Sequence, residues 1–80
     1  MILIVKYFGA VADITQTKEE QFYIADELNS ISNIQLKLEN QYPGIKNIPY
    51  TFAINQAITT GNEVITENDE LALLPPFAGG

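Results

Sequence analysis

Glu70-Leu71-Ala72-Leu73-Leu74-Pro75-Pro76-Phe77-Ala78-Gly79-Gly80 closes the chain, and its reading decides the fold. Glu70 to Leu74 is a short apolar strand. Pro75 ends its pairing because proline has no N–H to donate. Pro75-Pro76 stiffens the next step towards polyproline II. Phe77, Ala78, Gly79 and Gly80 then form a sterically bare tip. Glycine reaches backbone angles closed to other residues, so such a tip can bend into a narrow cleft and offer its carboxylate. Six residues from Pro75 span about 20 Å at roughly 3.3 Å each. Residues 75–80 therefore read as a flexible, projecting tail. Phe77 is an anchor for a partner pocket or folds back on its own domain. A bare terminus is also where chains fray.

Working back from the tail, two strands flank a polar turn. Thr51–Ile54 and Ala57–Thr59 lie either side of Asn55-Gln56, and Asn tolerates the positive φ of a tight turn. Gly61-Asn62 marks a further turn, and Thr66–Asp69 a polar turn or one 3₁₀ segment. Ser30 is placed as a helix N-cap. Ile31, Ile34, Leu38 and Tyr42 follow at helical spacing as one core-facing stripe. Asn33, Lys37 and Asn40 fall on the polar side, and Leu36 lies off the stripe. Pro43-Gly44 stops the helix. At the other end, Ile2–Phe8 is β-branched and aromatic, a strand ended by Gly9. Ala10–Ile14 fits one helical turn, and Glu20–Ile24 a second strand of a long-looped hairpin.

The order β-β-α-β-β-β places one main helix on one face of a mixed five-stranded sheet. The first and last strands are the most apolar, which predicts that they sit centrally and run parallel. The expectation is an α+β fold of the β-grasp, or ubiquitin-like, class. Residues 1–80 form a single domain with no repeat, linker or low-complexity segment.

Composition removes many functions. The 80 residues include no Cys and no His, which excludes disulfides, thiolate or imidazole metal sites, and Ser-His-Asp or Cys-His catalysis. An enzyme acting alone would rely on carboxylates, Lys or Tyr, and no motif organises them. The net charge is −6 with four basic residues. Nucleic acid and anionic membranes are disfavoured partners. The acidity suits a basic protein partner and also serves solubility. Met1–Phe8 is broken by Lys6, lacks the features of a signal peptide and is too short to span a membrane. The expected location is the cytoplasm.

Leu71 to Gly80, with its apolar strand, double proline and terminal diglycine, resembles the small subunit of molybdopterin synthase (the MoaD family of sulfur carriers). The resemblance covers the whole chain. Asn68-Asp69-Glu70 is similar to the family's Gly-Asp-Glu turn, and Phe52-Ala53-Ile54-Asn55 to its Ala-Val-Asn strand end. Tyr7-Phe8-Gly9 matches its aromatic-aromatic-small element, and Tyr42-Pro43 its helix stop. The chain departs from the family at Ala12-Asp13, where an Arg-Glu pair is common, and at Asn68, a position Asn can occupy in αL geometry. The thiamine sulfur carrier shares the diglycine but lacks the double proline.

The resemblance implies a two-stage mechanism. An E1-like activating enzyme uses ATP to adenylate the Gly80 carboxylate. A persulfide donor converts it to a thiocarboxylate, and the tail formed by Pro75, Pro76, Phe77, Ala78 and Gly79 threads into the large synthase subunit. Sulfur then passes to cyclic pyranopterin monophosphate. The implied assembly is a heterotetramer of two small and two large subunits, with no cofactor or metal bound by this chain. The implied partner face is Phe8, Ile58 and Leu74. Leu74 alternates with Leu73, so one of the two leaves the core. Sulfur donation to thiazole, protein modification through an isopeptide bond at Gly80, and an interaction module with an inert tail stay open as alternatives.

Overall fold

A computed structural model describes residues 1–59, 61 and 63–76. Its elements are β1 (Ile2–Tyr7), α1 (Gly9–Thr15), β2 (Glu19–Tyr23), α2 (Ile31–Gln41), β3 (Thr51–Ile54), β4 (Ala57–Ile58) and β5 (Glu70–Leu74). They form a five-stranded sheet in the order β2-β1-β5-β3-β4. β1 and β5 run parallel through the middle, as their apolar character predicts, and the other pairs are antiparallel. The fold is α+β, with α2 as the main helix. No helix among the described residues is long and apolar enough to cross a membrane.

Side chains on a strand alternate between the two faces. Leu3, Val5 and Tyr7 of β1 and Leu71 and Leu73 of β5 are all at most 2% exposed. They join Phe22, Phe52 and the α2 residues Ile31, Ile34 and Leu38 in one core. The Ser30 hydroxyl accepts from the Asn33 N–H at 3.1 Å and caps α2. Leu36 stays 59% exposed, in keeping with its place off the stripe.

Several boundaries differ from the sequence reading. Phe8 lies just outside β1, although its N–H still donates to the Leu73 carbonyl at 3.2 Å. β2 begins one residue earlier than expected. The second half of the next hairpin shortens to Ala57–Ile58. α1 is a seven-residue helix rather than one turn, ended by Gln16 in the left-handed region at φ 62°. Tyr42 caps the C-terminus of α2 instead of lying within it, and its N–H donates to the Leu38 carbonyl. Pro43-Gly44 ends the α-helix but opens a 3₁₀ turn, Pro43–Asn47. Proline fits the first position of such a turn because its missing N–H would have had no partner there. The turn drives Ile45 to full burial. Of the Gly61-Asn62 turn, Asn62 lies outside the described residues.

Two phenol clusters tie the helix layer to the sheet. Tyr7 and Tyr42 both donate to Glu20 Oε1. Their rings meet edge-on, with centroids 6.0 Å apart. Tyr50 donates to Glu39 at 2.7 Å and accepts from Gln35 at 3.0 Å. Burial and the neighbouring carboxylates push the Tyr7 and Tyr42 phenols above their usual range, and that of Tyr50 up to about 12.

Candidate functional site

The face of the sheet opposite α2 is open. The strand register draws a row across it: Ile58 pairs with Ala53, Ala53 with Ala72, Ala72 with Lys6 and Lys6 with Glu19. Direct cross-strand partners share a face. The two alanines at the centre of this row leave a shallow hollow of about 440 Å³. Larger side chains surround it: Phe8, Ile58 and Leu74, with Lys6, Gln56 and Glu70 on the polar side. The three residues expected as a partner face, Phe8, Ile58 and Leu74, are thus brought together. Phe8 is 43% and Ile58 49% exposed. Leu73 is fully buried while Leu74 is half-buried, which settles which of the pair leaves the core.

The polar rim is held from below by a network of backbone and side-chain bonds. Asn55 and Gln56 both have positive φ, 49° and 73°, the requirement of a tight I′ hairpin turn. From this turn the Asn55 N–H donates to the Glu70 carbonyl at 2.8 Å, and Asn55 Oδ1 accepts from the Glu70 N–H at 3.0 Å. Asn55 Nδ2 donates to Asp69 Oδ1 at 3.0 Å. The Thr66 N–H and hydroxyl donate to Asp69 Oδ2 at 2.8 and 3.0 Å. Partial burial works to raise the Asp69 pKa, but these hydrogen bonds outweigh it and hold the carboxyl below its usual range. Asn68 sits at φ 65°, the left-handed geometry its side chain tolerates. The network fixes Glu70, whose carboxylate meets Lys6 Nζ at 3.3 Å, with Glu19 at 3.9 Å from the same ammonium.

The base of the tail leaves from the end of this hollow. Leu74 is the last paired residue of β5, opposite Thr51. Pro75 and Pro76 are exposed. Pro75 rests against Gly9, which has φ +59°. A Cβ on Gly9 would stand 2.8 Å from Pro75 Cγ. Glycine meets both demands at this position: it tolerates the left-handed backbone and admits the proline ring. The remaining tail residues expected to act, Phe77, Ala78, Gly79 and Gly80, lie outside the described residues.

Sequence reasoning missed Lys6, Ala53, Gln56, Glu70 and Ala72 as parts of this face. The available signal was parity: Lys6 and Phe8 share a face of β1, as do Glu70, Ala72 and Leu74 on β5. The resolved pKa shifts all move away from neutrality, phenols upward and Asp69 downward. Those groups therefore hold their protonation state near pH 7.

The class defined by this fold is a ubiquitin-like β-grasp domain with an open sheet face and a shallow hollow beside β5. The ThiS family model matches residues 5–80, and the chain belongs to that family. The molybdopterin synthase sulfur carrier subunit of Homo sapiens is 28% identical over 81 residues, covering 95% of this chain and 91% of that protein. The small archaeal modifier protein 1 of Haloferax volcanii has the same fold, with a TM-score of 0.81 at 16% identity, over 95% of this chain and 98% of that one. One chain of a complex of subunits 1 and 2 of the molybdopterin-converting factor from Helicobacter pylori also matches. Its TM-score is 0.68 at 20% identity, with both chains covered in full.

Proposed function

We propose that this chain is the sulfur carrier subunit of a molybdopterin synthase, with Gly80 as the point of sulfur attachment. The observation that carries the reading is the family match across residues 5–80, which includes the double proline and the diglycine. The full-length similarity to a molybdopterin synthase sulfur carrier supports it. An E1-like enzyme joins the Gly80 carboxylate to the AMP moiety of ATP, releasing pyrophosphate. AMP is a far better leaving group than oxide, so the terminal sulfur of a persulfide attacks the carbonyl and expels it. A thiol then reduces the resulting acyl disulfide, leaving the thiocarboxylate. Hydrolysis of the thiocarboxylate as its sulfur passes to cyclic pyranopterin monophosphate returns the carboxylate. A dithiolene needs two sulfurs, so two carriers serve each product, within a cytoplasmic heterotetramer of two small and two large subunits.

The large subunit is the partner proposed for the hollow lined by Phe8, Ile58 and Leu74. The Helicobacter pylori complex of subunits 1 and 2 supports this pairing. Docking there directs Pro75 and Pro76 into the partner, because both follow at once from Leu74. Intact mass spectrometry tests the chemistry, after incubation with ATP, an activating enzyme of the molybdopterin pathway and a persulfide donor. Replacement of one oxygen by sulfur is expected on the chain and not on a variant extended by one residue beyond Gly80. Equal sulfuration of both, or of neither when a known carrier is sulfurated, would overturn the reading. The fold shared with a small archaeal modifier protein favours a second reading, conjugation through Gly80 to lysines of other proteins. Adducts that survive denaturant would identify that case, and sulfur arriving in thiazole would identify a thiamine carrier.

A further inference from the structure

We infer that Glu19, Lys6 and Glu70 make the docking face charge-selective: it accepts a partner that brings one cationic side chain beside its apolar surface, and rejects an apolar partner without one. The inference rests on the reading of the large synthase subunit as that partner. Lys6 lies in the middle of the open face, in register with Ala72 on one side and Glu19 on the other. Its ammonium meets two carboxylates, Glu70 at 3.3 Å and Glu19 at 3.9 Å. One positive charge cannot neutralise two negative ones, so the cluster carries an excess carboxylate. The Lys6 and Glu70 side chains are 36% and 34% exposed, and water still reaches both.

An apolar surface laid over Phe8, Ala53, Ile58 and Leu74 removes that water. Stripping a carboxylate of water is strongly unfavourable unless a cation replaces it. A guanidinium or ammonium seated between Glu19 and Glu70 converts the cluster into two opposed pairs and removes the penalty. The Glu19 side chain is 57% exposed, and its carboxylate lies 3.9 Å from the Lys6 ammonium, so it is open to sharing with a partner's cation. Glu70 faces the apolar hollow and its backbone is held on both sides by Asn55. The Lys6 ammonium, 3.3 Å away, holds the Glu70 carboxylate in place before the partner arrives, which is the condition for discrimination by charge. An anionic partner surface is disfavoured by the same cluster and by the net charge of −6.

The test is the affinity of the large synthase subunit from the same organism for four forms of the chain, measured by calorimetry at low and moderate salt. The forms are the unaltered chain, Glu70→Gln, Glu19→Gln and Glu27→Gln. The sign separates the possibilities. If no partner cation is present, Glu70→Gln relieves a buried charge and tightens binding. If one is present, the substitution orphans it. Glu70→Gln is expected to weaken binding by roughly tenfold, with a shallower salt dependence than the unaltered chain. Glu27→Gln makes the same change in net charge on the 3₁₀ turn Asp26–Leu28, which does not line the hollow, and is expected to stay within about twofold. Unchanged or tighter binding by Glu70→Gln overturns the inference, as does equal weakening by Glu27→Gln. Should Glu70→Gln fold poorly, Glu19→Gln carries the same sign test from a more exposed position. No binding by the unaltered chain overturns the functional reading and this inference with it. Equal binding by all four forms overturns the inference alone.

Discussion

The two faces of the sheet are built from the same strands one residue out of step, yet they are different surfaces. Towards α2, β1 and β5 present Leu3, Val5, Tyr7, Leu71 and Leu73, all at most 2% exposed. Towards the open side they present Ile4, Lys6, Glu70, Ala72 and Leu74, all half-buried. The first set supplies apolar burial, the main source of folding free energy. The second leaves a hollow, an ion cluster and the base of the tail at the surface. A step of one residue thus separates the core from the proposed docking face, and substitutions ought to divide along the same line.

The sharpest contrast is Leu71→Ala against Leu74→Ala. Emptying a fully buried leucine site costs about 2–5 kcal/mol, whereas a change at a half-buried surface position costs under about 1 kcal/mol. Urea unfolding of both variants checks this, and equal losses would break the division. Next comes Gly9, an exposed position just after β1 against which the first residue of the tail rests. Gly9→Ala is expected to cost about 1–2 kcal/mol from its left-handed backbone and to displace Pro75 besides. A loss near zero in the same unfolding experiment would mean that the seat is not needed.

Ionisation sharpens the comparison further. The phenols of Tyr7, Tyr42 and Tyr50 ionise less readily in the fold than in the unfolded chain. A raised folded pKa gives stability that is complete below the unfolded value of 10.0 and is lost as pH climbs through the folded value. For Tyr50 that window runs from 10.0 to about 12. Urea midpoints are expected to fall across it, and less steeply in Tyr50→Phe. On the open side the sign reverses. Asp69 has a depressed folded pKa, so its contribution is present above the unfolded value of 3.8 and is lost as pH falls through the lower, folded value. Asp69→Asn is expected to flatten the acid limb of the stability profile, the smallest of these effects. An unchanged acid limb would remove Asp69 from the bracket that holds Glu70.

Much of this was legible in the sequence because it is local. The alternation of Leu71, Leu73 and Leu74, the Ser30 cap and the Ile31-Ile34-Leu38 stripe are each written within one element. The parallel pairing of β1 with β5 followed from their shared apolar character and the helix between them. Positive φ at Asn55 and Asn68 fitted side chains that tolerate it. What stayed hidden depends on residues far apart in the chain. Nothing local to Lys6 announces Glu70, and nothing local to Gly9 announces Pro75. Ile45 and Ile65 are fully buried outside any strand or α-helix, so no periodicity marked them. Pro43-Gly44 signals the end of an α-helix and equally permits the 3₁₀ turn that follows, and the local rule does not choose between them.

Methyl NMR of the isotope-labelled chain, titrated with the large synthase subunit, tests the division of the two faces most directly. The methyls of Ile4, Ile58 and Leu74 are expected to shift or broaden, while those of Ile34, Leu38 and Ile45 stay in place. Perturbation centred on α2 with the open-face methyls unmoved would contradict the account.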